Sequence, residues 1–73
     1  MKIGGHMLRI KLLRMSYVLS QWELSKAIGV SQGQYSMIER GLIKPTDEQR
    51  DKLAEILHAS ASTLFRKAVP RRS

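Results

Sequence analysis

Leu19–Gly41 reads LSQWELSKAIGVSQGQYSMIERG. Leu24, Ala27 and Ile28 fall at helical spacing on one face of a first helix, Ser20 to Ile28. Ser20 and Glu23 form an S-x-x-E capping box, in which each side chain satisfies a backbone N–H left unpaired at the helix start. Gly29 follows, the residue type that takes a positive φ just past a helix end. A second helix opens at Ser31, where Ser31 and Gln34 repeat the box as S-x-x-Q, and runs to about Arg40 before Gly41 closes it. Two short helices joined by a tight glycine-containing turn are a helix-turn-helix.

This stretch resembles the lambda-repressor/Cro-like (Xre-type) helix-turn-helix family. The family pattern L-S-Q-x-E-L-[AS]-x-x-[ILV]-G-V-S-x-x-x-[IVY]-S-x-[ILW]-E-[RN]-G is matched almost throughout, and the resemblance extends from about Ile10 to Phe65. A lone capping box carries little. Apolar, glycine, glutamate and capping positions in register along the whole stretch are specific. The resemblance implies an all-α, compact five-helix, lambda-repressor-like DNA-binding domain. It further implies sequence-specific binding to double-stranded DNA as a transcriptional regulator, expected to repress as a homodimer on a pseudo-palindromic operator. A phage-type repressor, a restriction-modification controller and an antitoxin all fit it.

Composition agrees with a polyanionic partner. The chain has 73 residues, 13 Lys and Arg against 6 Asp and Glu, and a net charge of +7. Such a charge on one small domain favours nucleic acid or an acidic membrane, although charge also serves solubility alone. The helix-turn-helix decides between them. A domain this short buries only about 60% of its unfolded surface, and without cysteine it has no disulfide or thiolate metal site to help. His6 and His58 stand far apart with no ligand pattern, so no metal, cofactor or small-molecule ligand is expected. No apolar run approaches the ~18 residues of a membrane span, and no signal-peptide pattern is present. The expected location is the cytoplasm of a bacterial or phage-type system. No nucleophile, base and orienting group come together, so the chain does not read as an enzyme.

Residues 1–7 read as a tag or disordered arm, 8–68 as the domain, and 69–73 as a basic disordered tail. Leu8 to Tyr17 forms the first helix, with Ile10, Leu13 and Tyr17 on one face and Leu12 and Met15 widening it. Leu19, Leu24, Ile28, Val30, Tyr35 and Ile38 supply the core of the central pair. Ser25 is small where two helices meet, and Trp22 faces away from Leu24. After the loop Leu42 to Lys44, Pro45 marks a helix restart and Thr46 with Gln49 gives a third capping box. Leu53, Ala54, Ile56 and Leu57 form the buried stripe of the fourth helix. His58 stands where the family usually has glycine, and histidine tolerates the left-handed conformation better than most residues. A short fifth helix starts at Ser60 or Ser62 and runs through Leu64 and Phe65 as far as Ala68.

The family geometry places the N-terminal part of the second motif helix in the major groove. The base-reading positions are then Ser31, Gln32, Gly33, Ser36 and Met37. Gln32 is the strongest reader, because its amide can bond adenine N6 and N7 together. The resemblance implies that Gln21 braces Gln32 and touches a phosphate. Gln34, Arg40 and Lys44 are further phosphate contacts, with Lys26 and Lys11 as weaker ones. It also implies a buried ion pair between Arg14 and Glu39, against the alternative of two exposed charges. Leu64 and Phe65 are the candidate dimer contact, unless both fill the monomer core. Gly33 and Met37 depart from strong base readers, which leaves part of the specificity to DNA shape. The rival reading is a protein-interaction module, antitoxin-like, that uses the same fold; the exposed Trp22 and Gly33 favour it.

Overall fold

The computed structural model describes residues 8–67. The expected arm at 1–7 and tail at 69–73 lie outside them. Five helices follow one another: α1 (Arg9–Ser16), α2 (Gln21–Ile28), α3 (Gln32–Glu39), α4 (Asp47–Leu57) and α5 (Ala61–Leu64). Strand pairing among the described residues is confined to an isolated antiparallel bridge between Leu8 and Lys67. Beside it the Arg9 N–H donates to the Arg66 carbonyl at 2.9 Å, which ties the start of the domain to its end.

The helix starts follow the capping chemistry. The Ser20–Glu23 box is complete, with bonds of 3.0 and 2.7 Å. The Thr46–Gln49 box is complete at 3.1 and 2.9 Å. The box expected at Ser31 is only half formed. Ser31 Oγ accepts from the Gln34 N–H at 3.0 Å, but the Gln34 side chain makes no return bond and stays exposed. Ser60, rather than Ser62, caps α5 by accepting from the Thr63 N–H at 3.2 Å.

The ends of α1 to α4 share one device. Val18, Gly29, Gly41 and His58 have φ of 57°, 77°, 79° and 52°. The next residue's N–H then reaches back into the helix: Leu19 to Arg14, Val30 to Ser25, Leu42 to Met37 and Ala59 to Ala54, at 2.8–3.1 Å. This Schellman closure pairs carbonyls that the helix end would otherwise strand. Glycine takes the left-handed conformation without cost and histidine with little. Val18 is β-branched, and for it the position is strained.

Leu8, Ile10, Leu24, Ile28, Tyr35, Ile38, Leu53, Leu57 and Leu64 form one buried cluster, with Leu13, Leu19, Val30, Ala54, Ile56 and Phe65 packed against it. α2 packs on α3 and α4, and α5 wedges between α1 and α4. Ser25 is 2% exposed, as a close helix approach requires. The stripe expected on α1 is too wide. Of its residues only Ile10 is wholly buried, while Leu12, Met15 and Tyr17 are exposed, because so short a helix meets its neighbours along one narrow edge. Tyr17 has already left the helix, and its ring meets His58 edge-on at 6.0 Å. Ala27 is likewise exposed rather than part of the α2 core face. α5 stops at Leu64 rather than continuing towards Ala68, since residues 65–67 turn back to make the Leu8–Lys67 bridge.

Candidate nucleic-acid interface

A single carboxylate holds the two central helices in place. Glu39, the last residue of α3, is 3% exposed. Arg14 on α1 approaches it two-pronged, Nε to Oε2 at 2.7 Å and Nη2 to Oε1 at 3.2 Å. Gln21 on α2 donates its amide to Oε1 at 2.9 Å. The Tyr35 hydroxyl donates to Oε2 at 2.9 Å. Arg14 also donates from Nη1 to the Leu19 carbonyl at 2.8 Å, at the entrance to α2. Four donated bonds fill the carboxylate's acceptor sites, and no buried side-chain polar atom among the described residues lacks a partner.

The charges follow from this packing. Burial pushes the Glu39 carboxyl up, but the bonds from Arg14, Gln21 and Tyr35 and the Arg14 charge outweigh it. The net result is a carboxyl held below its usual range. The hydrogen bond to Glu39 raises the Arg14 guanidinium despite burial. Burial, with the Glu39 charge beside it, pushes the Tyr35 hydroxyl far above the ordinary tyrosine value. The network is therefore ionised at Arg14 and Glu39 and neutral at Tyr35 across the physiological range.

Gln21 is engaged differently from the expectation. Its amide is bonded to Glu39, and no hydrogen bond joins it to Gln32 among the described residues. In this state Gln21 braces α2 against α3 rather than bracing the reader. The expected pair Arg14–Glu39 is brought together, with side chains 11% and 2% exposed.

The outward face of α3 follows from what it buries. Tyr35, Ile38 and Glu39 point inward. At 3.6 residues per turn the opposite stripe is Gly33, Met37 and Arg40, with Ser36 beside it and Gln32 on the flank of the first turn. Ser31, Gln32, Gly33, Gln34, Met37 and Arg40 are exposed and Ser36 is half-buried. Gln34 falls on the other flank of the helix from Gln32, so the two amides cannot address one base pair. Ser31 Oγ accepts a capping bond and keeps its hydrogen and one lone pair for an outward contact.

Lys44 is exposed on the rim of a surface groove of about 390 Å³ that also carries Arg50 and Lys67 and no acidic residue. Nothing in linear spacing joins positions 44, 50 and 67, so only the fold brings Arg50 and Lys67 beside Lys44. Arg50 lies 5.9 Å from the Phe65 ring centre. Lys26 sits over the Trp22 ring at 4.5 Å, and Trp22 is 54% exposed. Leu64 departs from its expected place in a dimer contact. It is 0% exposed and fills the core, so it offers a second copy no surface, whereas Phe65 is half-buried.

Residues 10–64 match the family model described as Helix-turn-helix (HTH_3). Among solved structures, the restriction-modification controller protein C.AhdI from Aeromonas hydrophila is similar at 30% identity. That match covers 78% of this chain and 86% of the other, with a TM-score of 0.66. The N-terminal DNA binding domain of SinR from Bacillus subtilis is similar at 35% identity, with coverage of 77% and 83% and a TM-score of 0.64. SinR, described as the master regulator for biofilm formation, in complex with DNA matches at 35% identity over 77% and 90%, TM-score 0.63. No curated protein sequence matches the chain. No helix among the described residues is long and apolar enough to cross a membrane.

Proposed function

Since this chain belongs to the helix-turn-helix family, of the Xre and lambda-repressor-like type, we propose that it binds double-stranded DNA sequence-specifically as a transcriptional regulator. In this reading it represses as a homodimer on a pseudo-palindromic operator in the cytoplasm. One observation carries the reading. The outward stripe of α3 is rigidly presented, because the helix is anchored at its far end by the buried Glu39 and its four donors. A preorganised helix with short polar side chains in its first turn suits base edges in the major groove. The net charge of +7 supplies attraction to phosphates.

Within that interface Gln32 reads, with Ser31, Gly33, Ser36 and Met37 around it. Gln21, Gln34, Arg40 and Lys44 meet the backbone, and Arg50 and Lys67 extend the cationic surface beyond Lys44. A symmetric dimer must set its two α3 helices ~34 Å apart, one turn of DNA. Phe65 is the residue of the expected dimer pair that retains surface for a partner. SinR, a relative, is described in one structure as a complex with the SinI protein. That and the exposed Trp22 favour a second reading, a protein-binding module on the same fold.

A salt titration tests the proposal. Gln32→Ala should weaken a selected site by ~1–3 kcal/mol and relax choice at one base pair. Binding to unrelated duplex should barely change. Lys44→Ala should weaken all duplexes alike and lower the slope of log affinity against log salt by about one contact. Equal loss for Gln32→Ala on both duplexes would make it an anchor, and an absence of salt-sensitive duplex binding would favour the protein-binding module.

A further inference from the structure

Gly33 stands in the first turn of α3 where nothing in the folded chain calls for glycine. Its φ is not left-handed, and a Cβ there would meet no atom within 4 Å. Glycine inside a helix lowers stability relative to alanine, so the position carries a cost without a return in the free protein. Met37 lies one turn further along the same stripe and is 42% exposed. Helical side chains lean towards the N-terminus, so Met37 leans along the stripe in the direction of Gly33, while leaving more than 4 Å of open space around the place a Gly33 Cβ would take. Bare backbone at Gly33, with open space around it, and an exposed methionine one turn along the same stripe leave room bordered by apolar surface on a helix face that is otherwise polar.

Of the groups on base-pair edges in the major groove, one is apolar, the C5-methyl of thymine. We propose that Gly33 and Met37 together form a seat for that methyl group and so select thymine at one position of the bound site. This rests on the DNA-reading function above. Gly33 provides the room and Met37 the apolar wall, while Gln32 reads a different base by hydrogen bonding.

The test begins with sites selected from random duplex DNA. Each thymine of the selected site is then replaced by deoxyuridine, which removes the methyl and leaves base pairing unchanged. One position should weaken binding of the parent protein about fourfold, the worth of one buried methyl group. Met37→Ala should erase that thymine–uracil difference while the effect of Gln32→Ala persists. Gly33→Ala should melt several degrees higher, since it gains helix propensity. It should nevertheless bind the thymine site more weakly, with the thymine–uracil difference lost. The seat is refuted if no thymine responds, if the difference survives in Met37→Ala, or if Gly33→Ala binds as tightly as the parent. A selection that returns no preferred sequence would instead overturn the DNA-reading function itself.

Discussion

Replacing Arg14 by alanine should remove much of the stability of this domain. The substitution leaves Glu39 buried, 3% exposed, with two neutral donors, Gln21 and Tyr35, and no counter-charge. Breaking a buried pair from one side costs about 3–5 kcal/mol. Two surviving hydrogen bonds, and an Arg14 side chain 11% exposed that lets water reach the vacancy, put the loss near the lower end, about 3 kcal/mol. For a domain of this size each kcal/mol shifts the melting temperature by about 4–8 °C, so a fall of roughly 12–24 °C is expected. Thermal melts followed by far-ultraviolet circular dichroism near pH 7 measure it. The pH dependence supplies a second check. In the parent, Glu39 has a depressed folded pKa, so its stabilisation is present above the unfolded value of about 4.3 and is lost as pH falls through the folded value. In Arg14→Ala the burial that opposes ionisation is no longer outweighed, and the deficit relative to the parent should shrink in acid. Combining Arg14→Ala with Glu39→Gln removes the stranded charge and should recover part of the loss. A melting temperature within about 3 °C of the parent for Arg14→Ala would show that the pair contributes little.

Other substitutions probe separate parts of the argument. Tyr35→Phe deletes one bond to an ionised acceptor and should cost about 1.5–3 kcal/mol in chemical denaturation. Because Tyr35 is held protonated in the fold, its contribution is present below the unfolded value of about 10 and lost above it. The variant should therefore lose less stability than the parent as pH rises past that point. Val18→Gly should stabilise the domain by about 0.5–1 kcal/mol, since a strained left-handed valine that is 87% exposed gives up no packing. A loss of stability there would mean that the valine is not strained. Sedimentation of the protein at micromolar concentration with a single operator duplex should give two chains per duplex, and one chain per duplex would remove the dimer from the proposal.

The sequence made the fold legible wherever local chemistry and global packing agree. Ser20, Ser31 and Thr46 announce three helix starts, Gly29 and Gly41 two helix ends, and the structure puts each where its chemistry requires. Val18 could not be foreseen, because a branched residue carries no signal for the left-handed conformation; only the surrounding closure from Leu19 to Arg14 imposes it. On α1 the buried edge is narrower than the apolar stripe, because periodicity tells which residues share a face, not how wide an edge the neighbours cover. Family resemblance pairs Arg14 with Glu39, whereas Gln21 and Tyr35 join them only through three-dimensional proximity. The same holds for Arg50 and Lys67 beside Lys44. The bland expectation for Leu64, that it fills the monomer core, is the one the structure supports.

The bridge between Leu8 and Lys67 has a topological consequence. It brings the two ends of the described fold together as antiparallel neighbours, so anything attached before Leu8 or after Lys67 departs from the same small region. A chain with joined ends and a new opening in the exposed loop at Lys44, past the Leu42 bond that closes α3, should keep its connectivity almost unstrained. Extra modules fused at either end would crowd one another before they crowded the far side of the molecule. The head and the tail of this domain are, in effect, one attachment point.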